Sequence, residues 1–272
     1  MNSLKTIIKE HLQWKYQILK LAKSDIIKTY SGAALGWFWA IVKPTVTICV
    51  YWFAFSVGLR QSQDINGFPY ILWIVSGMVP WFYMSEMITQ GANSINQYRF
   101  LVTKMKYPVS TIPTFVGISK LIIHICLCFI VVIIFCFCGF YPDIYIIQMP
   151  IYMYFMVQYF VVWGLFSALL SAISKDFLNL VRSFVTAIFW ISGIMWDLNN
   201  VLNRLDSEVI KIILQFNPVT YISTGYRNIF IYKKWFWEDG YSLLYFSGSF
   251  LIMLILALWS YKKLIKEIPD VL

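Results

Sequence analysis

Six stretches of this chain are apolar for about twenty residues each: 36–59, 69–89, 111–137, 148–174, 177–196 and 242–261. A helix needs roughly 20 mainly apolar residues to cross the hydrocarbon core. Inside lipid, only a helix or a closed barrel satisfies its own backbone. Runs of this length predict an all-α membrane protein with six transmembrane helices and little chain left for a soluble domain. Composition agrees: 13% of residues are charged, about half the roughly 25% of soluble domains.

The net charge of +9 is unevenly placed. With the N-terminus inside, the inner segments hold Lys5, Lys9, Lys15, Lys20, Lys23, Lys28, Arg99, Lys104, Lys106, Lys175, Lys262, Lys263 and Lys266. The short outer loops hold Arg60 against Asp64, and Asp143 alone. In the outer segment 197–240, Arg204, Lys211, Arg227, Lys233 and Lys234 are balanced by Asp197, Asp206, Glu208, Glu238 and Asp239. The positive-inside rule puts both termini in the cytoplasm. Basic charge beside membrane spans suits anionic lipid or a cytoplasmic protein, not nucleic acid.

Within the expected cytoplasmic interface region, 1–35, residues 1–30 carry no continuous apolar core or small-residue cleavage site, so a signal peptide is not expected. Residues 4–27 read as one amphipathic helix. Leu4, Ile7, Ile8, Leu12, Ile18, Leu19, Ala22 and Ile26 share a face, and Lys5, Lys9, Gln13, Gln17, Lys20 and Lys23 lie mostly opposite. Such a helix rests in the membrane interface; a cytoplasmic helix packed on a partner is the other reading. The membrane domain is then 36–272.

Within the spans, Pro44 frees a backbone carbonyl and predicts a kink. Its neighbour Lys43 either snorkels to the inner surface or marks a functional site. Lys120 and His124 sit one turn apart, and a Glu86–Lys120 pair would neutralise both charges. Cys126, Cys128, Cys136 and Cys138 form two Cys-x-Cys pairs on one helix. Side chains two apart point to different faces, so these are packing residues and no metal site or disulfide is implied.

The segment 91–108 is polar and basic, with Phe100, Leu101 and Met105 among Asn93, Asn96, Gln97, Arg99, Lys104 and Lys106. Apolar groups protruding from a short amphipathic helix suit docking into a protein groove; a plain solvated loop is the alternative. The outer segment 197–240 is too long for a turn. An apolar stretch, 209–216, and one of mixed polarity, 219–232, flank Asn217-Pro218 and read as short re-entrant helices between spans five and six.

No catalytic set is visible. There is no G-x-x-x-x-G-K-[ST] loop for ATP, no H-E-x-x-H, and His11 and His124 are far apart. No internal repeat aligns, which weighs against an inverted-repeat carrier.

Several motifs occur in a telling order. Tyr30 precedes Leu35-Gly36-Trp37-Phe38-Trp39 and Lys43-Pro44. Tyr51-Trp52-Phe53-Ala54-Phe55 then leads to Gly58-Leu59-Arg60. Next come Gly77-Met78-Val79-Pro80-Trp81-Phe82 with Ser85-Glu86, Asn93 through Lys104-Met105-Lys106-Tyr107-Pro108, Lys175-Asp176, Asn217-Pro218 and Tyr226-Arg227. The ordered set resembles the permeases of ABC exporters for polysaccharides, including teichoic acid and O-antigen exporters, and most of all the teichoic-acid branch. The resemblance implies a homodimer in the bacterial plasma membrane with two copies of a separate P-loop ATPase, which would bind ATP and magnesium. It implies an undecaprenyl-linked glycan as substrate, moved outward, with spans one and five lining the path. Docking to the ATPase falls on Asn93, Asn96, Phe100, Lys104 and Lys106. For the carrier diphosphate, Lys43 and Arg99 are the candidates.

Aromatic residues make up 19% of the chain. Trp37, Trp52 and Phe55 follow one stripe of span one, and Phe189, Trp190 and Trp196 cluster on span five. Two readings stand: a wall on which sugar rings stack, or an interfacial belt. An ABC permease for small lipids or drugs is the alternative function. A self-sufficient channel or carrier is a third, and it would transport without an ATPase.

Overall fold

The computed structural model describes residues 2–32, 35–58, 65, 67–197, 201–202 and 207–268. All its regular elements are helical, and no strand occurs among the described residues. Arg60, Asp64, Leu59, Arg204 and Asp206, which carried part of the charge and motif reading, lie outside the described residues.

Five helices are long and apolar enough to cross a membrane: Gly36–Ser56, Tyr70–Gln97, Val109–Phe137, Ile144–Ile173 and Gly240–Leu264. The remaining apolar run forms a shorter helix, Lys175–Ile191, of 17 residues. It starts where Ser174 caps it by accepting from the Phe177 amide, and Asp176 sits favourably at its positive end. It stops five residues before 196, at a turn in which Gly193 takes a left-handed φ of 64°.

The N-terminal region is two helices, α1 (Asn2–Gln13) and α2 (Lys15–Tyr30), in place of the single one expected. The chain bends at Trp14, whose ring meets Tyr107 edge-on at 5.0 Å. Both helices are fastened to the rest of the chain. Ser110 and Tyr261 donate to Glu10, His11 bonds Thr114 at 2.7 Å, and α2 buries Ile18, Ala22 and Asp25. The apolar residues Leu4, Ile8, Leu12 and Leu19 stay exposed.

The first span is α3 (Trp39–Phe53), preceded by a 3₁₀ turn and followed by a π turn, Ala54–Gly58. Its helix continues through Pro44, and Thr47 donates to the Lys43 carbonyl at 2.9 Å. The second, α4 (Tyr70–Glu86), is the centre of the molecule, packed by span one, by α7 (Ile112–Phe137) and by α11 (Pro218–Arg227). Burial separates the two: 78% of the apolar window of span two is buried but only 6% of that of span one. Through a π turn, Met87–Gly91, α4 runs on into α5 (Ala92–Gln97) and then α6 (Arg99–Thr103). The segment from 91 is therefore helical extension rather than loop, because Ala92, Ser94 and Ile95 pack inward against α8 (Met149–Ile173). The shorter helix at Lys175–Ile191 is α9, α10 is Glu208–Gln215, and α12 is Gly240–Leu264.

Candidate functional site

The N-terminal end of span one opens on a cavity of about 440 Å³ lined by Tyr30, Trp39, Lys43, Glu86, Gln90 and Lys120, among others. Lys120 is buried and pairs with Glu86 at 3.3 Å, so its charge is answered before any ligand arrives. Lys43 has no such partner among the described residues. Burial first, then the carboxylates of Glu86 and Asp25, pushes the Tyr30 hydroxyl up to about 12, which keeps it a donor at neutral pH. One turn beyond Lys120, His124 bonds the Tyr226 hydroxyl at 2.6 Å. Arg99 is not here; it lines a separate cleft beside α5 and α9. The two candidate diphosphate residues therefore do not meet within one chain.

The docking candidates fall on α5 and α6. Asn96 donates to the Ser171 carbonyl at 3.0 Å, and Asn93 is half-buried beside it. Leu101 and Val102 are tucked inward, whereas Phe100, Lys104, Met105 and Lys106 stand out. Tyr98, at the break between the helices, donates to the buried carboxylate of Asp25 on α2, and Ser119 of α7 donates to the same carboxylate. Burial and Asp25 together raise the Tyr98 hydroxyl, so the donor is retained. One carboxylate thus joins the docking segment, the N-terminal helix and span three. Asp25→Leu strands the buried Tyr98 hydroxyl, at roughly 1–3 kcal/mol, while Ser119 keeps the Val116 carbonyl at 2.9 Å as its acceptor. A clear fall in detergent melting temperature is expected for Asp25→Leu, with Asp25→Asn much nearer to wild type. Equal melting of all three proteins would remove Asp25 as a junction.

The aromatic candidates divide. Trp37, Trp52 and Trp190 are exposed on the single chain, while Phe55 and Trp196 are half-buried. Phe189 is buried between Tyr51 at 5.4 Å and Trp81 at 5.3 Å. The Trp196 ring N–H donates to the Trp190 carbonyl at 2.7 Å. Tyr51, which lies outside the stripe of Trp37, Trp52 and Phe55, packs span one against α9 through Phe189 and Trp190.

The surface of α9 has three chemistries. At about 100° per residue, Leu178, Val181 and Phe189 form its buried face. Lys175, Asn179, Arg182, Ser183, Thr186 and Trp190 fall within a sector of about 100° and are all exposed. Leu180, Phe184, Ala187 and Ile191 form a second exposed sector, wholly apolar. An apolar sector tolerates lipid. A sector holding Arg182 and its polar neighbours is costly there, and such residues face a bundle interior or water. Arg182, Asn179 and Thr186 do not figure in the motif reading, though their spacing was available in it.

At the other end of the bundle, α11 is locked in place by Arg227, which is 3% exposed. Its guanidinium donates to the carbonyls of Gly193, at 2.8 Å, and Ile194, and lies 3.5 Å from the Trp73 ring centroid. Room for it exists because position 77 is glycine: a Cβ there would sit 2.6 Å from Nη2.

The described residues form a helical bundle with one barely buried span and one split-faced helix. Residues 16–231 match the family described as ABC-2 type transporter. The chain belongs to the ABC-2 type transporter family. It is thus a multi-pass membrane protein and a transport subunit. It is similar to the O-antigen export system permease protein RfbA of Myxococcus xanthus, 23% identical over 82% of this chain and 84% of that one. Two proteins of the same name from Klebsiella pneumoniae are each 20% identical. One match covers 97% of this chain and 98% of the relative, the other 94% and 96%.

Proposed function

We propose that the chain is the membrane subunit of an ATP-driven exporter. It moves a lipid-linked cell-surface polysaccharide, of teichoic acid or O-antigen type, from the cytoplasmic to the outer face of the plasma membrane. The observation that carries this reading is the polar, unpartnered sector of α9. A single copy leaves Asn179, Arg182 and Thr186 without cover, and leaves span one almost unburied. A homodimer that turns these faces toward each other encloses a hydrophilic path between the two copies. The apolar sector of α9 then faces lipid or the partner copy.

In this reading the chain crosses six times, α9 included, with both termini in the cytoplasm. The helices α1 and α2 lie at the inner interface, with Leu4, Ile8 and Leu12 toward lipid. The helices α10 and α11 dip into the outer leaflet; the bond from Tyr226 to His124, midway along α7, supports that depth. Trp37, Trp52 and Trp190 supply stacking surface along the path, with Phe55, Phe189 and Trp196 backing them. Two copies of a P-loop ATPase, carrying ATP and magnesium, dock on α5 and α6. Their closure does work on the path only if the two docked states bind closed and open ATPase differently. Near-full-length likeness to permeases named for O-antigen export supports the substrate class.

The test is reconstitution with a candidate P-loop ATPase partner. Undecaprenyl-linked glycan is expected to stimulate hydrolysis, and transport by the purified chain without ATPase would overturn the reading. In the same assay Trp37→Leu with Trp52→Leu is expected to slow glycan export severalfold while the ATPase still assembles. Undiminished export would remove the stacking wall.

A further inference from the structure

Where α9 begins, its polar sector runs into a cleft of about 520 Å³. Four helices build it: α5 and α6 contribute Asn93, Asn96 and Arg99, α8 contributes Ser171, and α9 contributes Lys175, Asn179 and Arg182. Its charge is of one sign. Arg99, Lys175 and Arg182 line it with no carboxylate, and none of the three is in an ion pair among the described residues. Asp176 is the neighbour of Lys175 in sequence but is turned about 100° away around the helix.

A second feature is independent of the charges. Ser171 is 1% exposed, lines the cleft, and its hydroxyl has no hydrogen-bond partner. A buried hydroxyl without a partner carries a desolvation penalty that a ligand acceptor would remove. Three cations, amide donors from Asn93 and Asn179, and an unused hydroxyl call for a ligand with several anionic oxygens in a small volume. A phosphate group meets that description. Lys175 and Arg182 are seven residues apart on one face, about 10 Å along the axis, so the cleft is long enough for more than one phosphate. Beside it, Leu180 and Phe184 continue the exposed apolar sector up the same helix.

We propose that this cleft binds the phosphate-bearing headgroup of a lipid, with Arg99, Lys175 and Arg182 on the phosphate and the hydrocarbon chain along Leu180 and Phe184. It deepens the export reading, on which the headgroup is the carrier's diphosphate, and it moves that role from Lys43 to α9. Hydrolysis is not involved: the site holds the headgroup where the polar sector of α9 begins.

The experiment places the full-length chain in nanodiscs and measures bound lipid by native mass spectrometry. The probes are undecaprenyl diphosphate and phosphatidylglycerol. Wild type is compared with Arg182→Gln and with Arg99→Gln/Lys175→Gln/Arg182→Gln. All three positions are exposed, and unchanged melting confirms that the variants fold. Occupancy is expected to fall about threefold in the single variant and at least tenfold in the triple one, each lost contact being a charge-assisted bond. A fall for undecaprenyl diphosphate alone assigns the site to the carrier; an equal fall for both lipids assigns it to bulk phospholipid headgroups. Unchanged occupancy of both overturns the proposal. So does retention of lipid with loss of ATPase association, which would make the cleft a seat for an acidic protein surface. Stimulation of wild-type hydrolysis by lipid-linked glycan is scored separately. If stimulation is seen while the variants keep their lipid, this site fails and the export reading stands. If wild type is not stimulated, the export reading fails whatever the binding result.

Discussion

Arg227→Met is expected to lower the melting temperature of the purified chain by on the order of 10 °C. Methionine nearly matches the length of the arginine stem but has no donor. The carbonyls of Gly193 and Ile194 stay where they are and lose their partner. Each buried acceptor left unpaired costs roughly 1–3 kcal/mol, and the lost contact with the Trp73 ring adds about 1 kcal/mol. Replacing a buried ion pair by apolar groups is often neutral. That relief does not apply here, because the acceptors are backbone and cannot be replaced along with the cation. Arg227→Lys keeps the charge without the fork and should fall between the two. Gly77→Val supplies the control: the new Cβ occupies the place of Nη2, 2.6 Å away, and displaces the guanidinium with Arg227 intact. Both changes act on one contact, so the double variant should melt little below either single one. If Arg227→Met and Gly77→Val both melt within about 2 °C of wild type, Arg227 does not hold the outer helices.

The same arginine marks the boundary of what the sequence discloses. Spans three, four and six are legible almost to the residue. Expected at 111–137, 148–174 and 242–261, they are found at Ile112–Phe137, Met149–Ile173 and Gly240–Leu264. A bilayer demands an unbroken apolar run, and a run can be read locally. The end of α9 is not local. Apolar residues continue to Trp196, but the turn at Gly193 is held by a guanidinium 34 residues on. The break at Trp14 is equally hidden, because its partner Tyr107 lies on another element.

The site divides in the same way. The pairing of Glu86 with Lys120 is legible, since two opposite charges at similar depth in neighbouring spans have few other partners. The separation of Lys43 from Arg99 is not, because it depends on which helices are adjacent. Arg182 is a different case. Its spacing from Lys175, Asn179 and Thr186 is plain in the sequence, but a count of apolar residues gives one arginine little weight. Only the burial of Leu178, Val181 and Phe189 on the adjoining face, with Lys175, Asn179, Arg182 and Thr186 exposed, shows that the polar sector is outward.

Phe100→Asp with Met105→Asp is expected to abolish association of the ATPase while leaving the melting temperature unchanged. Phe100 is 44% exposed and Met105 64% exposed, on a segment whose other apolar residues, Leu101 and Val102, are buried. Exposed aromatic and Met side chains ringed by charge are what the centre of a protein interface uses. Lys104 and Lys106 flank them and would suit an acidic rim on a docked partner. Placing two carboxylates at the centre removes apolar contact and sets like charges against that rim, so association should weaken at least a hundredfold, from two hot-spot losses of about 2 kcal/mol each. Leu101→Asp is the contrast: it puts a charge into packed surface, so the fold itself should fail. Co-purification of the ATPase with both variants, scored beside their melting curves, separates the outcomes. Retained ATPase with Phe100→Asp/Met105→Asp would move the dock away from α6. Lost ATPase with a lowered melting point would make Phe100 and Met105 packing residues. With the dock on α6, the route inward is already built: Tyr98 precedes Arg99 directly, and its hydroxyl ends on Asp25 between α2 and span three. On the proposed export reading, a displacement of α6 by closing ATPase subunits would pull on the N-terminal helix and on span three together.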